Sequence, residues 1–279
     1  MSASQADTRS GFRRLLEYYK SQLAIDISLN IAYRGATAIW TFSSIMQPLV
    51  SMVVWRTVAG SEGGSAGGLT ANEYTAYFIM VLLVSNMTFI WHMWEFEWRI
   101  RTGAFSPLLL RPIHPIHNDV SENISFKLVG LAGIIPAAIL LGVVFNADFG
   151  GTSVLDILAF IPALLLAMVL RFVVEWTLAL AAFWLTKVSA INNLFDVMFL
   201  FLGGQFAPLD VMPDWMRTLA LFSPFPWSIS FPVEVALGRR DGGELLVGYA
   251  AQLGWIAIAA TVLALVWRRA TSQYSAVGA

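Results

Sequence analysis

Over 279 residues the chain is 57% hydrophobic and 13% charged, with a formal net charge of −1 and a mean hydropathy of +0.68. That composition excludes an ordinary soluble domain, and with no cysteine the chain has no disulfide, thiol chemistry or cysteine metal site. The near-neutral balance gives no reason to expect a nucleic-acid partner.

Residues 1–30 read as a polar tail followed by an amphipathic helix. Met1 to Ser10 is too polar for a cleavable signal, and the first apolar run is too long and too late. Phe12, Leu15, Leu16, Tyr19 and Leu23 then recur at helical spacing, with Arg13, Arg14, Glu17 and Lys20 between them. Such a helix lies in the membrane interface or packs on its own domain, and both readings stay open.

Residues 31–270 form one membrane domain. A span needs roughly 20 mostly apolar residues, and six segments qualify: 36–55, 74–93, 126–145, 155–185, 191–206 and 246–267. Residues 271–279 are a short tail. The expected fold is therefore all-α, with no room left for a soluble catalytic domain. The glycine-rich run from Gly60 to Gly68 lacks the Lys-Ser/Thr of a phosphate loop and reads as a flexible hairpin tip; no Walker motif occurs in the chain.

The cations give the orientation. Arg9, Arg13, Arg14, Lys20 and Arg34 precede the first span, Arg99, Arg101, Arg111 and Lys127 lie between the second and third, Lys187 follows the fourth, and Arg268 and Arg269 follow the last. Both termini are accordingly expected in the cytoplasm. The linkers 59–72 and 146–153 carry no Lys or Arg, but the last outer segment departs from the rule with Arg217, Arg239 and Arg240. Arg56 and Lys127 fall near span ends and are expected to snorkel.

Residues 99–122 form the most informative loop. The second span is expected to continue as a helix through Trp91, Trp94 and Trp98, which share a face. Gly103 can end it, Pro107 can open a second short helix, and Pro112 and Pro115 prevent that helix from running on. The result is a stub with an apolar ridge of Phe105, Leu108, Leu109 and Leu110, flanked by Arg101 and Arg111, which either fits a groove on a partner or folds back against the domain's own helix ends.

Inside the spans, Arg171 and Glu175 are four residues apart and can pair. Asp196, beside Asn192 and Asn193, is the other ionisable candidate. These groups fit a transport path, a subunit interface or simple mutual neutralisation. His92, His114 and His117 lack metal-like company and read as ordinary polar contacts. Pro48, Pro136 and Pro162 are expected to kink their spans, and Gly130 and Gly133 to allow close packing. Five of the eleven prolines lie between Pro208 and Pro232 in a segment, 203–235, that stays apolar and aromatic. Broken helices re-entering the membrane from the outer side explain both features.

Two stretches carry a family resemblance. Arg101-Thr102-Gly103-Ala104-Phe105-Ser106-Pro107-Leu108-Leu109-Leu110-Arg111-Pro112 resembles the pattern after the second span of type-2 ABC exporter permeases, with Gly103, Leu109, Leu110 and Pro112 at the matched positions. Pro107 and His114 to His117 fall outside that pattern. Gly203-Gly204-Gln205-Phe206-Ala207-Pro208-Leu209-Asp210-Val211-Met212-Pro213-Asp214-Trp215, followed by Leu221 to Trp227, is similar to the family's sequence before the last span. The resemblance implies that the 99–122 loop is a coupling helix seated on a separate ATPase subunit, with ATP and Mg bound there and no catalytic site here. It also implies a second permease, homologous or identical, a plasma (inner) membrane location, and export of an amphipathic or hydrophobic substrate such as a lipid or drug-like molecule. Gly203, Gly204, Pro208, Pro213, Trp215, Pro224 and Pro226 would then shape an outer gate. ATP-independent rivals, a secondary transporter or a lipid-handling enzyme or assembly factor, would require an internal repeat or a catalytic cluster, and neither is visible.

Overall fold

A computed structural model of the protein describes residues 11–273, and the first ten residues and most of the expected 271–279 tail lie outside it. The amphipathic segment forms α1 (Gly11–Ala32), which ends at Tyr33. It packs lengthwise on α6 (Ile116–Val144) through a polar seam. Buried Asp26 accepts from Ser121 Oγ at 2.8 Å and Gln22 Nε2 at 2.9 Å, and Tyr19 Oη lies 2.8 Å from His117 Nδ1. Packing on its own domain is thus the observed arrangement, while Phe12 and Leu16 remain exposed.

Helix α2 (Arg34–Ser61) runs through Pro48 and presents Ile39, Trp40, Phe42 and Val50 outward. The glycine-rich run folds into a hairpin of two two-residue strands, β1 (Ser65–Ala66) and β2 (Leu69–Thr70), turned by Gly67 and Gly68 at φ +55° and +80°. Consecutive positive φ values are what a tight two-residue hairpin requires. This small hairpin is the departure from an all-α chain, and it is ordered by packing: a Cβ on Gly67 would meet Val211 Cγ1.

Helix α3 (Ala71–Thr88) starts with a capping box between Thr70 and Glu73 and is buried on nearly every side, from Tyr74 to Leu82, as expected of an all-apolar helix at a bundle centre. The chain then breaks at Phe89–Trp91 before α4 (His92–Arg101). The continuous helix expected through Trp91 is therefore interrupted. No Pro or Gly marks the break; Phe89 takes an extended ψ of 140°, and its carbonyl accepts the Asn123 side-chain amide at 3.0 Å. A buried amide replaces the lost helical bond.

Helices α5 (Ser106–Leu109), α6 (Ile116–Val144) and α7 (Val154–Ala179) follow, α7 with a Ser153/Asp156 capping box and a terminal 3-10 turn, Leu180–Phe183. Helices α6 and α7 continue through Pro136 and Pro162. Lys127, eleven residues inside α6, is buried rather than reaching out from a helix end. Arg56 is held at the hairpin-side ends of three helices, bonded to Thr75 and to the carbonyls of Ala71 (2.9 Å) and Phe145 (2.8 Å). A Cβ on Gly133 would lie 2.8 Å from Thr41 Cγ2, so close α2–α6 packing needs that glycine, whereas Gly130 has open space.

Helix α8 (Ser189–Leu202) has only 14 residues. At 1.5 Å per residue it spans about 21 Å, short of a roughly 30 Å hydrocarbon core. Among the described residues, five helical segments are long and apolar enough to cross: α2, α3 with α4, α6, α7 with its 3-10 turn, and α12 (Gly242–Gln273). The sixth expected span stops because Gly203 and Gly204 end it, the latter at φ +82°. Between them and α12 lie a 3-10 turn (Leu209–Val211), α9 (Asp214–Leu221), α10 (Phe225–Ser228) and α11 (Ser230–Ala236). Every residue of α11 is buried against the bundle, whereas α9 exposes Trp215, Leu219 and Leu221. The long helices turn apolar side chains outward, among them Ile139, Leu140, Leu158, Leu253 and Ile258, as a multi-pass membrane protein must.

Gly204 tests this packing. A Cβ there would lie 2.9 Å from Tyr77 Oη and 3.1 Å from Ser230 Cβ at a positive φ. Gly204→Ala is expected to cost about 1–3 kcal/mol, measured as a lower apparent melting temperature in detergent, while Gly130→Ala leaves it unchanged.

Candidate functional site

The loop between α4 and α6 stands on an aromatic seat. Gly103, at φ +75°, turns the chain out of α4, and the Phe105 amide returns to the Arg99 carbonyl at 3.0 Å. Phe105 is fully buried, with ring centroids 5.2 Å from Phe96, 5.6 Å from Phe183 and 6.3 Å from Trp267. The expected exposed ridge is therefore corrected at its first member: Phe105 anchors the loop. Leu108 and Leu109 are half-buried against the same core, and only Leu110, 87% exposed, projects freely. Pro107 lies in the first turn of α5, and Arg111 and Pro112 are exposed beside it. Trp94 and Trp98 are also exposed, on the adjoining face of α4.

His114 caps the seat, 4.4 Å from Trp267 and 5.9 Å from Trp176 between centroids. Burial, reinforced by neighbouring His117, holds its imidazole below the usual histidine range. The α1 helix closes the opposite side, where Arg14, Leu15, Pro112, Ile113, His114 and His117 line a crevice of about 420 Å³.

Directly behind the seat is a charge knot that the sequence reading missed. Asp119 is fully buried; its Oδ1 accepts from Arg99 Nη1 at 2.7 Å and its Oδ2 from Trp176 Nε1 at 2.9 Å. Arg99 Nη2 also contacts Glu95 Oε2 (2.6 Å) and Glu122 Oε2 (3.3 Å). His92, 0% exposed, points Nε2 to within 3.8 Å of Asp119 and 3.6 Å of Glu122, and neither ring nitrogen has a hydrogen-bond partner. The signal was present as Glu95–Arg99 at i, i+4 and Asp119–Glu122 at i, i+3, but only the fold sets the two pairs face to face. The ligand atoms of His92, Asp119 and Glu122 fall within 4.8 Å of one another. Arg99 already pairs with both carboxylates, so the cation of this site is a guanidinium and the set does not fit a metal centre.

The mid-bundle candidates separate. Arg171 Nε bonds Glu175 Oε1 at 2.5 Å, both buried as the spacing predicts, and Arg171 also donates to Thr88 Oγ1 at 3.1 Å and lies 4.1 Å over the Phe199 ring. Asn192 is buried and donates to the Met93 carbonyl at 2.9 Å. Asp196 joins neither group and is exposed on α8 beside Asn193.

At the opposite end, Gly203 and Gly204 let α8 meet the segment that follows: Tyr77 Oη donates to the Gly204 carbonyl at 2.8 Å and the Ser230 amide to that of Gly203 at 3.1 Å. A cavity of about 220 Å³ opens here, lined by Tyr77, Pro208, Asp210, Arg217, Glu234, Arg239, Arg240 and Glu244. The three arginines that depart from the expected cation pattern converge on it, with Arg240 paired to Glu234 and Arg217 to Asp210 (3.1 Å). Pro224 and Pro226 flank or begin α10, Pro213 precedes α9, and Trp215 stays exposed.

A family model described as "ABC-2 family transporter protein" matches residues 36–278. No curated protein matches the chain.

The Arg171–Glu175 pair should behave as a buried ion pair. Removing one partner, as in Glu175→Leu, is expected to cost about 3–5 kcal/mol, and the double replacement Arg171→Met with Glu175→Leu to recover most of it. A double-mutant cycle on thermal stability in detergent measures this.

Proposed function

Belonging to the ABC-2 transporter family, the chain is a membrane transport subunit, and we propose that it forms the membrane half of an ATP-driven exporter. ATP and Mg would sit on a separate ATPase subunit, which docks on the 102–115 loop. The observation that carries this reading is Leu110: an apolar side chain 87% exposed, at the tip of a loop whose base is locked by buried Phe105. A free apolar tip on a rigid base is the form of a docking knob. Half-buried Leu108 and Leu109 support it from below, with Arg111 and Pro112 at its edge.

We place this loop and both termini in the cytoplasm of a plasma (inner) membrane protein, following the cation distribution. Helix α8, with the buried α10 and α11 continuing from it, supplies the sixth crossing. Its exposed Asp196 and Asn193 are costly against lipid and suit contact with a second permease, homologous or identical, or with the path between the two. The buried Arg171–Glu175 pair and Asn192 serve the chain's own packing instead. The segment from Gly203 to Pro226, held by Tyr77 and lined by paired charges, forms the outer gate. An amphipathic or hydrophobic cargo, a lipid or drug-like molecule, fits spans that present so few free charges.

Leu110→Asp tests the docking assignment without touching the core. Tagged protein extracted in mild detergent is expected to retain its fold and to recover at least about tenfold less of a Walker-motif ATPase than the unaltered chain, as for loss of an interface hot spot. Equal recovery in quantitative pull-downs rejects the knob.

A further inference from the structure

The charge knot has a property that neutralisation alone does not require: its members sit on different parts of the bundle. Arg99 lies in the last turn of α4, and its carbonyl holds the Phe105 amide, so it is bonded directly to the loop. Asp119 lies in the first turn of α6, four residues after Pro115 closes the loop. Trp176 lies on α7 and packs 5.4 Å from Trp267 of α12. Asp119 commits one oxygen to Arg99 and the other to Trp176, with no exposure to solvent.

The aromatic seat could hold the loop in place without these bonds. Ring contacts, however, are weakly directional and allow sliding, whereas two charge-assisted hydrogen bonds on one carboxylate fix both distance and angle. We infer that Asp119 is a positioning residue that, through Arg99 and Trp176, makes the loop, α6 and α7 move as one body when the loop is displaced. The inference rests on the exporter reading, in which a bound ATPase supplies that displacement.

His92 lies on α4 with Arg99 and belongs to the same body. It is sealed beside both carboxylates under Trp91, with centroids 4.7 Å apart.

The absence of cysteine makes a direct test practical. Phe149→Cys and Trp215→Cys, both on exposed side chains at the end opposite the loop, accept spin labels with no background thiol. The labelled chain is purified with its ATPase, placed in lipid nanodiscs, and its label-to-label distance distribution is recorded with and without ATP and Mg. The otherwise unaltered chain is expected to shift on nucleotide addition. In Asp119→Asn, the ATPase is expected to stay bound and to keep hydrolysing ATP while the shift is lost; Asp119→Glu restores part of it. Trp176→Phe keeps the ring and removes only the indole donor, so it reduces the shift even if Asp119→Asn fails to fold. A wild-type shift in Asp119→Asn or Trp176→Phe overturns the inference. Loss of ATPase binding in Asp119→Asn also overturns it, because the knot would then shape the docking surface rather than transmit from it. A labelled but otherwise unaltered chain that recovers no ATPase overturns the exporter reading, and the inference with it.

Discussion

Asp119 stands where a carboxylate can exist only if its charge is met on the spot. It is buried in the bundle beside the loop, and an unpaired charge there would cost several kcal/mol. The Arg99 guanidinium meets it, which fixes how far α4 must run before the chain turns at Gly103. The turn places Phe105 in its aromatic seat, and the seat leaves Leu110 outside. The position of the exposed loop tip thus follows from the neutralisation of one buried acid.

The same demand for local satisfaction governs the backbone. Where the second crossing breaks between α3 and α4, the Phe89 carbonyl takes the Asn123 amide, and the Met93 carbonyl beyond the break takes that of Asn192. Gln252 of α12 serves the carbonyls of Ala163 and Trp227 at 2.9 Å each, joining α7 and α10 to the last span. In a membrane bundle, irregular backbone persists only where protein replaces water as its partner.

The two ends of the bundle answer to different physics. At the loop end, large rings and a charge knot tie α4, α6, α7 and α12 into one unit around the knob. At the hairpin end, small residues allow close approach: Gly67 meets Val211, and Gly204 fits between Tyr77 and Ser230. Two of the arginines that seemed misplaced there, Arg217 and Arg240, are paired beside a cavity, so their cost is met by Asp210 and Glu234.

Read alone, the sequence determined the membrane class, the five long apolar segments, the punctuation of the loop by Gly103 and Pro107, and the Arg171–Glu175 pair. These depend on hydropathy, backbone geometry and i, i+4 spacing, all local properties. It ran the sixth apolar segment on to Phe206 because an apolar run records composition, whereas the end of α8 is set by Gly203 and Gly204 packing on Tyr77 and Ser230. It set Phe105 on the ridge because helical spacing cannot distinguish a side facing a partner from a side facing Phe96 and Trp267. His92 looked solitary because its neighbours, Asp119 and Glu122, are 27 and 30 positions away along the chain. Only tertiary structure decided which charges meet, since pairing across helices depends on how the spans pack and leaves no period in the sequence.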